Sequence, residues 1–158
     1  MKKAICPGSF DPVTLGHLDI IERASVIFDS LVVAVLHNQN KTCWLGVEKR
    51  MELLCKAVSY LPNVSVESSE KLLADYAAEQ GAVVVVKGLR AISDFEHEFQ
   101  MALINRKLNP ALDTMFLTSG ERFQYLSSSM IKEIGSMGGD ISGFVPPVIL
   151  RDLLGYFL

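Results

Sequence analysis

The chain reads as an α/β protein, an open five-stranded parallel sheet with helices on both faces, and three observations carry that reading. Apolar runs alternate with helical patterns along the chain, the order expected of strand–helix–strand units joined by right-handed crossovers. Leu31-Val32-Val33-Ala34-Val35-Leu36 and Ala82-Val83-Val84-Val85-Val86 are continuous apolar runs without polar alternation, as strands buried on both faces of a parallel sheet should be. The polar, chemistry-bearing segments follow the strands, whereas Phe28-Asp29-Ser30, Leu61-Pro62-Asn63 and Leu108-Asn109-Pro110 read as ordinary connections.

Taken in order, a strand over Lys3–Cys6 leads through a turn rich in glycine and proline to a helix over Gly16–Phe28. A strand at Leu31–His37 and a helix at Val47–Tyr60 follow, then a strand at Val64–Glu67 and a helix at Lys71–Gln80. The second half repeats the alternation: strand Val83–Lys87, helix Ser93–Leu108, strand Thr114–Thr118, and helices Ser128–Met137 and Pro146–Phe157. Gly138-Gly139 marks a turn between the last two helices. With no linker, internal repeat or low-complexity tract, residues 1–158 are expected to form one domain.

A composition of 49% hydrophobic and 21% charged residues belongs to a compact chain rather than a disordered one. A net charge of −3 argues against a nucleic-acid partner, which needs a basic face. Three cysteines, at 6, 43 and 55, have no paired spacing, so neither a disulfide framework nor a zinc knuckle is expected. His37 and His97 have no metal-ligand spacing either, and no protein metal site is expected. The N-terminus runs directly into a strand, and no apolar stretch approaches the roughly 18 residues of a membrane span. The expectation is a soluble cytoplasmic protein.

In open α/β sheets, ligands bind beyond the carboxyl ends of the strands. The segments there are Gly8-Ser9-Phe10 to His17, His37 to Thr42, Lys87-Gly88-Leu89-Arg90 with Asp94 to Glu98, and Ser119 to Arg122 with Ser127 to Ser129. They describe an anion site. Helix N-termini present unpaired N–H groups and the positive end of the macrodipole, so phosphates collect there. Gly8 lets the backbone approach a ligand closely, and Gly16 keeps the first turn of the helix clear of a side chain, beside a ring N–H from His17. Ser127, Ser128 and Ser129 open a later helix; capping accounts for one of them, leaving further hydroxyl and N–H donors. Lys41 sits in a polar loop, Asp94 reads as part of a solvated helix face, and Cys6 as a small packing residue rather than a nucleophile.

Thr14-Leu15-Gly16-His17 matches the first signature of the nucleotidyltransferase superfamily. Joined to Pro-Gly-Ser-Phe-Asp-Pro (7–12), Lys41, Lys-Gly-Leu-Arg with Asp-Phe-Glu-x-Glu (87–98), Asn105-Arg106 and Leu-Ser-Ser-Ser-Met-Ile-Lys-Glu (126–133), it makes nearly the whole chain resemble the phosphopantetheine adenylyltransferase family. The resemblance implies a Rossmann-like nucleotidyltransferase fold and adenylyl transfer from ATP to 4′-phosphopantetheine, giving dephospho-coenzyme A and pyrophosphate. A phosphate monoester has its second pKa near ~6, so the acceptor is mostly dianionic at neutral pH and needs no general base. No Ser-His-Asp or paired-carboxylate arrangement stands out in the chain.

The resemblance also implies roles. His17, Lys41 and Arg90 are the catalytic candidates: His17 donates to the α-phosphate, Lys41 bridges two phosphates, and Arg90 meets the ATP phosphates or ribose. ATP binding extends to Ser9, Phe10, Gly88, Leu89, Glu98, Phe123, Gln124, Tyr125, Leu126, Ser127, Ser128 and Ser129, with Phe123 to Leu126 on the adenine side. The acceptor falls to Ser9, Lys41, Lys87, Leu73 and Asn105, the last two along the pantetheine arm. Leu72 and Leu73 alone read as core residues of an amphipathic helix, and Lys132 as either a charge toward the triphosphate or a surface residue. Lys87 stands where the family mostly has Arg, keeping the charge without the bidentate fork; Ser9 stands where it usually has Thr. Mg²⁺ is implied, held mainly by phosphate oxygens and water, as are a homohexamer and feedback by coenzyme A.

Two other readings stay open. A sibling enzyme would pass a nucleotidyl group to another acceptor, such as nicotinamide mononucleotide or glycerol phosphate. A non-catalytic nucleotide-sensing module would share the fold but be expected to lack His17, Lys41 or Arg90, all of which are present.

Overall fold

A computed structural model describes residues 1–37 and 42–157. Five strands, β1 (Lys3–Gly8), β2 (Ser30–Leu36), β3 (Val64–Ser69), β4 (Val84–Leu89) and β5 (Asp113–Thr118), form one sheet in the order β3-β2-β1-β4-β5. Every neighbouring pair is parallel. The helices are α1 (Leu15–Ile27), α2 (Val47–Val58), α3 (Leu73–Gln80), α4 (Ile92–Leu108), α5 (Ser128–Ser136) and α6 (Pro147–Leu154), and a single 3₁₀ turn covers Glu121–Phe123. The expected α/β architecture is therefore the observed one.

Period-two alternation sends the central strands to two cores. Ala4, Cys6, Leu31, Val33, Val35 and Val86 point to one face, where Ile20, Ile21, Leu53, Leu54, Ile131, Ile149 and Leu153 of α1, α2, α5 and α6 cover them. Ile5, Val32, Ala34 and Val85 point to the other, against Tyr76 and Ala77 of α3 with Ala82 and Leu112. Each fully buried Leu, Ile or Val side chain contributes roughly 1.5–3 kcal/mol relative to exposure. That scale explains why the uninterrupted apolar runs were the readable part of the chain.

Most element ends fall within two residues of the sequence reading, the usual uncertainty at a terminus. Three differences have physical causes. β1 continues two residues past Cys6 because Pro7 and Gly8 still pair with Ala34 and Val35 of β2; proline's missing N–H falls beyond the last β1–β4 pair. α6 stops at Leu154, and Tyr156 and Phe157 turn back onto the Trp44 ring, with centroids 5.7 and 4.7 Å away. Leu72, read as a core residue, is the exposed N-cap position of α3; only Leu73 reaches the second core.

The order of the strands has a consequence for binding. The chain leaves β1 toward β2 and β3, then crosses back to place β4 on the other side of β1. Helices therefore leave opposite faces at the β1/β4 boundary, the topological switch point where such sheets bind ligands. The ladder there is short: β1 and β4 share the pairs Ala4–Val84 and Ile5–Val85, whereas β1 and β2 stay in register from Lys3 to Gly8. Beyond Ile5 and Val85 the two strands separate.

Candidate active site

Where β1 and β4 part, a cavity of about 490 Å³ opens. Its floor is the ends of the two strands, Cys6 to Gly8 and Val86 to Gly88; its walls are the turn at Ser9 and Phe10, the first turns of α1 and α4, and the start of α5. Three helix N-termini thus face one space, and each presents N–H groups unused by its helix.

The turn after β1 is under local constraint. Phe10 is a non-glycine residue at φ 49°, 4% exposed, in a left-handed conformation that costs ~1–3 kcal/mol. Its ring covers Gly8 so closely that a Cβ at position 8 would lie 2.9 Å from ring carbons. The same ring meets His17 edge-on, with centroids 5.1 Å apart. Aromatic packing therefore holds one side of the imidazole.

The helix cap holds the other side. Thr14 is the N-cap of α1, and its hydroxyl accepts from the His17 backbone N–H at 3.1 Å. In return Nδ1 of His17 accepts the Thr14 backbone N–H at 3.1 Å. This is a capping box with histidine in the place usually taken by Glu or Gln. A nitrogen that accepts a backbone N–H carries a lone pair, so the ring proton resides on Nε2.

On the β4 side, Lys87 Nζ lies 3.3 Å from Oε2 of Glu98. Arg90 donates from Nη1 to the Leu126 carbonyl at 2.8 Å, tying the end of β4 to the segment before α5. Asp94, read from sequence as a solvated face, instead accepts from the Arg90 backbone N–H at 3.2 Å and from Nε at 3.3 Å, and lines the cavity. An aspartate in the first turn of α4 also favours that helix end. Gly88 is fixed by packing: a Cβ there would come 2.8 Å from Cγ1 of Ile20, so α1 could not lie this close to β4.

At the start of α5, Ser127 is the N-cap, its hydroxyl accepting from Met130 N–H at 3.1 Å. Ser128 donates its hydroxyl to the Pro12 carbonyl at 2.8 Å and so anchors the α5 terminus to the turn after β1. Ser129 lines the cavity with both. Lys132, one turn on, points its ammonium to Asp11 at 3.3 Å rather than standing on the surface.

Of the expected site residues, the cavity lining brings together Ser9, Phe10, His17, Lys87, Gly88, Arg90, Glu98, Leu126, Ser127, Ser128 and Ser129. Leu89 is absent from the lining; its carbonyl accepts the Ser119 N–H at 2.9 Å. Phe123, Gln124 and Tyr125 also lie outside it. The 3₁₀ turn carries Phe123 against the start of α1 beside Gly16, while Tyr125 is exposed and meets Phe144 edge-on. Leu73 packs in the second core and Asn105 is buried on α4, both away from the lining. Lys41 lies outside the described residues. Thr14, Ser93, Asp94, His97 and Ser119 line the cavity without having been singled out as ligand-binding residues; their position beyond strand ends was the available signal.

Burial pushes the thiol of Cys6 up to about 12, with the Lys87 ammonium pulling the other way. It remains a neutral packing group at the cavity floor. Among the described residues no group of three or more His, Cys, Asp or Glu is arranged to hold a metal ion. What the arrangement can do is bind anions and stabilise charge that develops between them, through an imidazole N–H, two cations, serine hydroxyls and three helix termini.

Comparison with known proteins agrees with this chemistry. The cytidylyltransferase-like family model matches residues 5–134. The phosphopantetheine adenylyltransferase of Legionella pneumophila (strain Lens) is 51% identical over 152 residues, covering 96% of this chain and 89% of the relative. That of Caldanaerobacter subterraneus subsp. tengcongensis is 49% identical over 157 residues, covering 99% and 98%. A solved structure described as a putative nicotinate-nucleotide adenylyltransferase from Vibrio parahaemolyticus superposes with a TM-score of 0.72 at 22% identity, over 99% of this chain and 96% of that one, a likeness of fold.

Proposed function

The chain belongs to the phosphopantetheine adenylyltransferases, within the cytidylyltransferase-like family, and from that premise we propose that it catalyses the reversible transfer of the adenylyl group of ATP to 4′-phosphopantetheine. The products are dephospho-coenzyme A and pyrophosphate, a step of coenzyme A biosynthesis. The observation that carries the choice of acceptor is the 49–51% identity, over nearly the full chain, with relatives of that name.

An oxygen of the acceptor phosphate attacks the α-phosphorus of ATP in line. The new phosphoanhydride bond forms as the bond to the β-phosphate oxygen breaks, and pyrophosphate carries away the electron pair. The acceptor is already mostly dianionic, so the protein supplies geometry and charge rather than a base. His17 donates from Nε2 to the α-phosphate as charge builds there; its fixed tautomer supports that role. Arg90 and the α5 terminus with Ser129 hold the β- and γ-phosphates, while Lys87 and Ser9 hold the acceptor phosphate. Lys41 bridges the two anions. Mg²⁺ would accompany the triphosphate, bound mainly by its oxygens and water, and would supply positive charge to the phosphates.

Coenzyme A carries the same pantetheine arm and is read as a feedback ligand competing for this cavity. Association with further copies, read as a homohexamer from the family resemblance, is supported by α4, which exposes Phe95, Phe99, Leu103, Ile104 and Leu108. Cytoplasmic residence is supported by three free cysteines. Among the described residues no helix is long and apolar enough to cross a membrane. The net charge of −3 supports the absence of a nucleic-acid partner.

The test is pyrophosphate release from ATP and Mg²⁺ with 4′-phosphopantetheine, beside reactions offering nicotinamide mononucleotide, or CTP with glycerol phosphate. Release with 4′-phosphopantetheine alone, matched by dephospho-coenzyme A, is the expected result. Release with another acceptor would overturn the substrate, and ATP binding without any release would point to a sensing module.

A further inference from the structure

Two oppositely charged side chains lie buried behind the cavity, outside its lining: Asp11, 2% exposed, and Arg50, 4% exposed, on the first turn of α2. They do not form an ion pair with each other; they hold the two peptide groups on either side of Leu45. Oδ1 of Asp11 accepts the Leu45 N–H at 2.8 Å, and Nε of Arg50 donates to the Leu45 carbonyl at 3.0 Å. The carboxylate also takes the Trp44 N–H at 2.7 Å, and the guanidinium also holds the Ser9 carbonyl through Nη1 at 2.9 Å.

The Ser9 carbonyl belongs to the peptide that sets φ of Phe10, the strained residue whose ring packs on His17. A buried charge is costly, and apart from the ion pair of Asp11 with Lys132 at 3.3 Å both charges hold backbone groups in loops beside the site. Strained conformations persist where surrounding contacts over-determine them.

We propose that Arg50, acting with Asp11, is a positioning residue: by locking the loop after β2 onto the turn after β1 it holds Ser9, Phe10 and thereby His17 in their working geometry. The planar guanidinium is suited to this because its fork reaches two carbonyls in different loops, which a lysine ammonium cannot match. The kinetic part of the proposal rests on the adenylyl-transfer reading; the structural part does not.

The experiment compares wild type with Arg50→Lys, Arg50→Met and Asp11→Asn in the full chain. In pyrophosphate release with 4′-phosphopantetheine, kcat is expected to fall about 10²-fold in Arg50→Met, with Arg50→Lys intermediate. The Kd for ATP, measured by calorimetry, should stay within about threefold, since the nucleotide contacts on β4 and α5 are untouched. General loss of folded protein would scale down the titrated active fraction and leave that split undisturbed. In parallel, hydrogen exchange should accelerate at least ~10-fold at the Leu45 and Thr14 amides while the β1 and β2 amides keep their protection. A folded variant with kcat near wild type, or a Kd for ATP that worsens in step with kcat, would overturn the kinetic claim. Unchanged exchange at Leu45 and Thr14 would overturn the structural one. Should Arg50→Met fail to fold, Arg50→Lys and Asp11→Asn carry the same comparisons. Wild-type protein inactive toward 4′-phosphopantetheine would refute the reading of function instead, and the exchange data would still decide the positioning role.

Discussion

The Thr14 backbone N–H donates to Nδ1 of His17, so the residue that caps α1 also sets which nitrogen of the neutral histidine carries the proton. His17→Ala is expected to lower kcat by about 10²–10³, the usual cost of losing a donor aimed at developing charge, with a much smaller effect on ATP binding. Steady-state rates and ATP titration would check this. Equal losses in both would assign His17 to ground-state binding. Thr14→Ala removes the hydroxyl but keeps the N–H to Nδ1, so its main effect should be about 1 kcal/mol of stability.

Lys87 and Glu98 form a partly buried ion pair at the end of β4. If Lys87 meets the acceptor phosphate, Lys87→Ala should raise the KM for 4′-phosphopantetheine roughly 10- to 100-fold, the ~1.5–3 kcal/mol of a charged hydrogen bond. The KM for ATP should change little. Initial rates with each substrate varied in turn will separate the two, and a rise confined to ATP would move Lys87 to the nucleotide. Lys87→Arg restores a planar fork and is expected to keep the acceptor KM near wild type.

The parts legible in the sequence were those governed by repetition or by a local rule. Apolar runs such as Leu31–Leu36 announce buried parallel strands, and strand ends announce the cavity edge that gathers His17, Lys87, Arg90 and Ser127. What escaped depends on contacts distant in sequence or on where one element begins after another. Arg50 sits in an amphipathic helix where an arginine normally faces solvent; its partners are carbonyls of Leu45 and Ser9, the latter 41 positions away. Asp94 is i+4 from Arg90 and pairs with it only because α4 begins right after β4. Phe123 to Tyr125, expected at the adenine, lie on and after a 3₁₀ turn outside the cavity lining, and a turn this short has no periodicity long enough to read.

Cys6 provides a pH test. Its thiol ionises near 12 in the fold, above the ordinary value of 9.0, because burial disfavours the thiolate. A folded-state pKa raised in this sense leaves its stability contribution intact below 9.0 and erodes it as pH climbs toward 12, since the unfolded chain releases the proton first. Urea unfolding of wild type and Cys6→Ala across that range should show the steeper decline in wild type. At pH 8, iodoacetamide should label the exposed Cys55 and spare Cys6 until the protein unfolds. Early labelling of Cys6 would refute its burial.

At Gly88 α1 packs tightly against β4, and this contact couples stability to the site. A methyl group at position 88 would meet Cγ1 of Ile20 at 2.8 Å and Cδ1 at 3.3 Å. Ile20 is 5% exposed and packs with Ile21 and Ala24 in the first core, so it has little room to rotate away. Overpacking of this kind costs ~1–3 kcal/mol, and relief comes most readily by shifting α1 outward. That shift would carry His17, one turn before Ile20, away from Lys87 and Arg90 across the cavity. Gly88→Ala is therefore expected to lose stability in that range and to lower kcat well beyond the loss of folded protein. Urea unfolding followed by assay of the folded fraction measures both, and normal turnover in a destabilised variant would show that α1 can yield at Ile20 without moving His17.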